Sequence, residues 1–296
     1  MEFKSGFVTI VGRPNVGKST LLNNIIGEKI AITTDKPQTT RNRIQAVYND
    51  EDSQIIFLDT PGIHKPKHRL GEYMVKTATN TFVDVDVILF LIDVDAGFGK
   101  GDQFIIEQLK GVKTKKFLIL NKMDLINPDE FIKIQARLKG TEIFDDIIAI
   151  SAANGKNVDL LMEKIKEQME PGPMYFPSGM ISDQPEKAIV AEIIREKVLL
   201  YLEQEIPHGV AVEIESFKQR EGKDIYDISA IVVTEKKSHK GIIIGKGGRK
   251  LKGIGKAARI DIEKFLGSKV YLEIWVKIKE GWRDSDFLLK NYGYKE

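Results

Sequence analysis

Apolar and polar positions change rhythm along the chain near residue 170. From residue 7 to about 170, short apolar runs alternate with longer stretches of helical period. The runs at 7–11, 44–49, 54–58, 85–92, 116–120 and 147–150 have the length and composition of strands. Stretches such as 129–138 and 158–169 space their apolar residues as one face of a helix. Strands alternating with helices predict an α/β domain with a mostly parallel sheet. Ligands of such sheets bind at the carboxyl ends of the strands.

The clusters Pro171-Gly172-Pro173, Pro177-Ser178-Gly179 and Asp183-Gln184-Pro185 interrupt the pattern and mark a linker. The expected division is therefore residues 1–172, a linker at 173–184, and a second domain at 185–296. In that second part, 188–202 has helical period, 210–216 and 225–233 alternate as strands, 249–266 is helical, and 270–278 is a third strand. This mixed order predicts an α+β domain. The tail at 281–289 has an acidic first turn and apolar residues on one side, so it is expected to pack back on that domain.

Composition narrows the class. The chain has 296 residues, 42% of them hydrophobic and 30% charged, which suits about two soluble globular domains. It has no cysteine, which excludes disulfides and thiolate metal sites and fits a reducing compartment. Its longest apolar runs carry acids and fall far short of the ~20 residues that span a bilayer. The first residues lack the plan of a signal peptide. A net charge of +2 is uninformative, but its distribution is not. Between 236 and 260 lie Lys236, Lys237, Lys240, Lys246, Arg249, Lys250, Lys252, Lys256 and Arg259, with no acid among them.

The first candidate site opens with Gly12-Arg13-Pro14-Asn15-Val16-Gly17-Lys18-Ser19, the pattern G-x-x-x-x-G-K-[ST]. It lies between a predicted strand and a predicted helix, the context that gives the pattern meaning. Gly12 and Gly17 let the loop turn so that N–H groups of Asn15, Val16, Gly17, Lys18, Ser19 and Thr20 face one point. With the positive end of the helix they form a nest for phosphate oxygens. Lys18 can reach the β- and γ-phosphates, and Ser19 can ligate Mg²⁺. Asp59-Thr60-Pro61-Gly62 ends another strand run: Asp59 can hold the metal through water, and Gly62 can offer its N–H to a γ-phosphate. Asp, Pro and Gly also favour plain turns, but the glycine loop favours the ligand role.

Asn121-Lys122-Met123-Asp124 ends a third run. The Asp124 carboxylate can accept from N1–H and the 2-amino group of guanine. Adenine has neither donor and would leave the carboxylate unpaired, so the site selects guanine. The Lys122 stem can lie over the base, and Asn121 can brace neighbouring loops. At Ser151-Ala152-Ala153 a backbone N–H can meet the guanine O6. The polar stretch 33–41 reads as a mobile loop whose Thr40, or alternatively Thr39, completes the Mg²⁺ shell and senses the γ-phosphate.

With these motifs present and in order, residues 7–170 resemble a GTPase of the translation-factor-related class. The resemblance implies GTP and GDP as ligands, Mg²⁺ as metal, and phosphoryl transfer to water as the reaction. One departure stands out: Ile63 occupies the place where small signalling GTPases carry the glutamine that orients water. A slow intrinsic rate follows. In related GTPases an asparagine at the place of Asn15 coordinates a potassium ion; here Asn15 either does so or only shapes the loop.

The second candidate site is Gly241-Ile242-Ile243-Ile244-Gly245-Lys246-Gly247-Gly248, followed by the 249–266 helix. A sharp Gly-x-x-Gly turn, Gly245 to Gly248, lets a nucleic-acid backbone approach closely. Lys240, Lys246, Arg249 and Lys250 neutralise phosphate, and the Ile242–Ile244 side, with Ile243 and Ile244 as its site residues, is expected to offer an apolar groove for unstacked bases. The order helix, strand, strand, helix, helix, strand resembles a type II KH domain, whose GXXG loop clamps about four nucleotides of a single strand.

The two halves together resemble the bacterial ribosome-assembly GTPases that carry one type II KH domain. That resemblance implies binding near the 3′ end of 16S rRNA and a role in small-subunit (30S) maturation. It also implies a cytoplasmic monomer that visits the inner face of the cell membrane. Two other classes remain: an RNA-binding assembly factor whose nucleotide only pins a conformation, and an RNA-modifying enzyme. The second is disfavoured, since the sequence has no cysteine nucleophile, metal cluster or second cofactor loop.

Overall fold

The computed structural model describes residues 2–36, 38–127, 134, 143–202 and 209–294. It divides into two compact units: Met1–Thr33, Thr40–Pro66 and Gly71–Asp183 form the first; Thr34–Thr39, Lys67–Leu70 and Gln184–Glu296 form the second. The helix expected at 129–138 lies outside the described residues, apart from Ile134.

The first unit runs β1 (Lys4–Gly12), α1 (Lys18–Ile26), β2 (Ile44–Asn49), β3 (Ser53–Asp59), α2 (Arg69–Thr79), β4 (Val87–Asp93), α3 (Lys100–Leu109), β5 (Lys115–Asn121), β6 (Asp146–Ala149), α4 (Val158–Gln168) and β7 (Glu170–Pro171). The sheet order is β2-β3-β1-β4-β5-β6, with β7 against the start of β1. β3, β1, β4, β5 and β6 are mutually parallel, β2 is antiparallel to β3, and Val8 of β1 sits between Phe57 and Val87. Every residue of β3 and β4 is buried. That is why they read as unbroken apolar runs: helices cover both faces of a parallel sheet. Leu89 and Leu91 join Val8, Ile10, Leu21 and Phe57 on one side, while Ile88 and Phe90 join Val11, Phe82 and Ile105 on the other.

Residues 173–183, expected above as linker, belong to the first unit and run beside its β2 edge. The buried Gln54 side chain accepts from the N–H groups of Tyr175 (2.7 Å) and Phe176 (2.9 Å) and donates to the Phe176 carbonyl (2.9 Å). Val47 N–H donates to the Ile181 carbonyl at 3.0 Å, and the Ser182 hydroxyl donates to the Gln45 carbonyl at 2.8 Å. An edge strand leaves backbone groups unpaired, and this segment covers part of that edge.

The second unit runs α5 (Glu186–Leu200), β8 (Ala211–Gln219), β9 (Ile225–Thr234), α6 (Lys237–Ile244), α7 (Arg249–Leu266), β10 (Lys269–Ile278) and α8 (Asp286–Asn291). Its sheet order is β10-β9-β8, with β10 parallel and β8 antiparallel to β9. Ile254, Ala258 and Ile262 of α7 recur every fourth residue and form the buried stripe that packs with Ile194, Ile228, Val232 and Val276. No described helix is long and apolar enough to cross a membrane.

The tail packs back as expected. Trp282 is fully buried, donates its Nε1–H to the Gly209 carbonyl at 3.0 Å, and lies 5.6 Å and 5.9 Å from the rings of Tyr292 and Tyr294. Trp282→Ala should therefore destabilise the second unit by about 3–5 kcal/mol, read by urea unfolding with Trp275 as the remaining fluorescent reporter.

Candidate functional site

The glycine loop joins β1 to α1 at the centre of the parallel sheet. Gly17 has φ 97°, and a Cβ there would come within 2.3 Å of the Asn121 side-chain nitrogen, so glycine is required on both grounds. Asn15 is also left-handed, with φ 66°. Thr20, in the first turn of α1, is half-buried, while Val16 is buried in the core and presents only backbone to the loop. Asn121 is buried and links three loops: its Nδ2 donates to the Val16 carbonyl (2.8 Å) and its Oδ1 accepts from Ala152 N–H (2.9 Å).

Lys18, the first residue of α1, and Asp59, the last residue of β3, are buried opposite charges. The Lys18 ammonium donates to the Gly12 (3.3 Å) and Arg13 (2.9 Å) carbonyls. Burial pushes its pKa down to about 8, against the pull of Asp59. Burial likewise pushes the Asp59 carboxyl up to about 6, with Lys18 and the Ser19 hydroxyl holding it down. Ser19 Oγ donates to Asp59 Oδ2 at 2.7 Å and lies 2.9 Å from Thr40 Oγ1. Asp59 Oδ1 is buried and has no hydrogen-bond partner among the described residues. Of the two candidate threonines, Thr40 joins this cluster. The Thr39 hydroxyl instead donates to the Lys36 carbonyl (2.6 Å) and meets Thr34 (2.7 Å) within the second unit.

Gly62 lies so close to the loop that a Cβ would come within 2.6 Å of Pro14 N. The next residue, Ile63, donates its N–H to the Gly12 carbonyl (3.1 Å), and its side chain is buried in the core with Val11, Ala78 and Phe82. It contributes nothing polar to the site. The Asp124 carboxylate is exposed and makes no hydrogen bond to a described protein group. Lys122 has φ 68° and pairs with Asp93. Ser151 and Ala152 are buried at the end of the last parallel strand, whereas Ala153 is exposed.

Two functional neighbours escaped the sequence reading. Arg13, inside the glycine loop, donates to Asp102 Oδ1 (2.8 Å) and to the Gly97 carbonyl (2.8 Å). No local pattern links it to a partner so far along the chain. Asp93 closes the β4 run, and an acid at a strand's carboxyl end was a signal of the same kind as Asp59.

In the second unit, α6 ends at Ile244 with Gly245 as its cap, and α7 starts at Arg249. Gly245, Gly247 and Gly248 have φ of 71°, 60° and 74°. A Cβ on Gly245 would meet Lys250 Cβ at 2.7 Å, but nothing lies within 4 Å of one on Gly247 or Gly248, so the tip is open to a ligand. Lys246 and Arg249 are exposed, while Lys240, Ile244 and Lys250 are half-buried. One expectation is corrected here. Ile243 is fully buried in the second core, so its side chain cannot face a base; of the expected 242–244 side, Ile242 is 43% exposed. A helix of this sort turns about 100° per residue, so adjacent residues cannot share a face.

Fold and geometry together define a GTPase domain followed by a KH domain. The family described as 50S ribosome-binding GTPase matches residues 7–122, and the KH domain family matches residues 205–283. Over 295 residues the chain is 62% identical to the GTPase Era of Alkaliphilus metalliredigens, covering all of both chains. It belongs to the Era family of GTPases. Two solved Era structures superpose with a TM-score of 0.95, each covering 99% of this chain and all of the other. One, 40% identical, holds MgGDPNP and nucleotides 1506–1542 of 16S ribosomal RNA. The other, an Aquifex aeolicus Era variant 38% identical, holds GDP and AlF4⁻.

The shifted Asp59 has a consequence for stability. Its folded value, about 6, lies above the ordinary 3.8. The stability it adds is therefore complete below 3.8 and lost as pH rises through about 6. Without nucleotide or magnesium, Asp59→Asn should gain on the parent by about 3 kcal/mol across that window and then level off, as read by thermal unfolding at stepped pH.

Proposed function

We propose that this chain is a GTP-hydrolysing switch that binds single-stranded RNA at the 3′ end of 16S rRNA and acts in 16S rRNA processing and assembly of the small ribosomal subunit. The observation that carries the nucleotide half is the cluster of Lys18 and Ser19 at the start of α1, Thr40 in the following loop and Asp59 at the end of β3, with one Asp59 oxygen left without a partner among the described residues. Hydroxyl and carboxylate oxygens are hard donors, the kind Mg²⁺ takes. Ser19, Thr40 and Asp59 fit it. When bound, Mg²⁺ neutralises charge on the phosphate oxygens.

Lys18 trades two carbonyls for phosphate oxygens, and the amides from Asn15 to Thr20, with Gly62, orient the phosphates. Asp124 accepts from the guanine edge, Lys122 covers one face of the base, Asn121 ties the loops together, and the Ser151–Ala153 turn meets O6. Ile63, buried in the core, cannot orient the attacking water, so the intrinsic rate is slow. Asn15, left-handed in the loop, is the residue that would hold a potassium ion, which would supply positive charge beside the phosphates.

The RNA half rests on the open Gly245–Gly248 turn between Lys240, Lys246, Arg249 and Lys250. Its apolar neighbours are Ile244 and Ile242, with Ile243 acting from the core. The RNA carried by the 40%-identical Era structure favours 16S over the large-subunit association named by the GTPase-domain family. Ordering of the 33–41 segment around Mg²⁺ and the γ-phosphate is the step that couples GTP binding to RNA binding, reciprocally.

GTP turnover, measured with and without an oligonucleotide of the rRNA 3′ tail, tests this reading. The rate should be slow alone, rise with RNA, and be higher in KCl than in NaCl at equal ionic strength. Equal rates in the two salts would remove the Asn15 ion. Equal use of ATP would sink the whole proposal. Asp124→Asn should lower GTP affinity by roughly 100-fold or more and favour xanthosine triphosphate, whose O2 accepts from the new amide; competition binding reads both.

A further inference from the structure

The guanine reading uses Lys122 but leaves open what holds it. A lysine stem at a site's edge loses several rotatable bonds of freedom when it settles on a base. Lys122 also sits at φ 68°, uncommon for a residue with a side chain. Its ammonium meets Asp93 Oδ2 at 2.5 Å.

Asp93 is fixed without help from Lys122. It is the last residue of β4, beside Asn121 in the β4–β5 register. It is 7% exposed. Its Oδ1 accepts from the N–H groups of Asp95 and Ala96, both at 3.1 Å, and the next residue, Val94, donates its N–H to the Asn121 carbonyl at 3.1 Å. The turn it closes is tied at Gly97 to Arg13 of the glycine loop. One carboxylate oxygen thus anchors the turn, and the other is aimed at Lys122.

We propose that Asp93 is a positioning residue for the guanine nucleotide: it pins the Lys122 ammonium so that the lysine stem stands ready as the wall over one face of the base. The inference rests on the reading of Asn121–Asp124 as the guanine pocket. It concerns the face of the base, whereas Asp124 concerns its edge. The two roles therefore separate by ligand.

The test is a double-mutant cycle on the full chain, with dissociation constants and release rates for GDP and IDP. Asp93→Asn keeps an oxygen for the two turn amides and removes the charge. It should weaken GDP about tenfold, the worth of one charge-assisted hydrogen bond, mainly through faster release. IDP lacks the 2-amino group that Asp124 reads, so it should lose the same factor. In a Lys122→Ala background, Asp93→Asn should change either affinity less than about twofold. A full tenfold effect in that background, or no effect in the parent, overturns the proposal. A parent that retains no GDP overturns the pocket reading beneath it. Asp93→Ser serves in the cycle if thermal unfolding shows the asparagine variant misfolded.

Discussion

Two buried charges organise the first unit. Lys18, the first residue of α1 after the glycine loop, and Asp59, the last residue of β3, lie on the side of the parallel sheet where its strands end and helices begin. Burial disfavours the charged form of each, and their mutual attraction offsets only part of that cost. A core of well-packed aliphatic residues has to absorb the difference, and β3 and β4, buried along their whole length, supply it. The site is thus stabilised from below by the sheet and left short of partners above. Buried, strongly shifted opposite charges of this kind are the feature by which a ligand site is told from a solvated surface pair.

The same logic runs through the loops around that pair. Asn121 spans the glycine loop and the Ser151–Ala152 turn; Arg13 spans the glycine loop and the β4–α3 turn; Asp93 ties that turn to Lys122. Each loop is therefore held by a side chain from another strand end, and none is free to relax alone. The second unit solves a different problem. Its glycines leave a tip without crowding, and its basic residues flank that tip on two helices. A phosphate backbone needs close approach and positive charge, not a deep pocket.

Much of this was legible before any coordinates. The strand runs, the glycine loop, Asp59, Asn121-Lys122-Met123-Asp124 and the Gly-x-x-Gly turn are local signals, and local signals survive in one dimension. Three features did not show. Ile243 was read as facing a base, because a three-isoleucine run does not say which member meets the core; only the phase of α6 against the sheet does that. Residues 173–183 were read as linker from their Pro and Gly content, yet Gln54 fastens them at the sheet edge. Arg13 found Asp102 in the first turn of α3.

The amino-acid order by itself determined the class of fold, the order of elements, and which short stretches carry the chemistry, because each is written in spacing over a few residues. Only the tertiary structure decided which oxygen of Asp59 lacks a partner, that Thr40 and not Thr39 joins Ser19, and that Asp93 holds Lys122. Those depend on contacts between distant strand ends, and the register that brings them together is set by packing across the whole sheet.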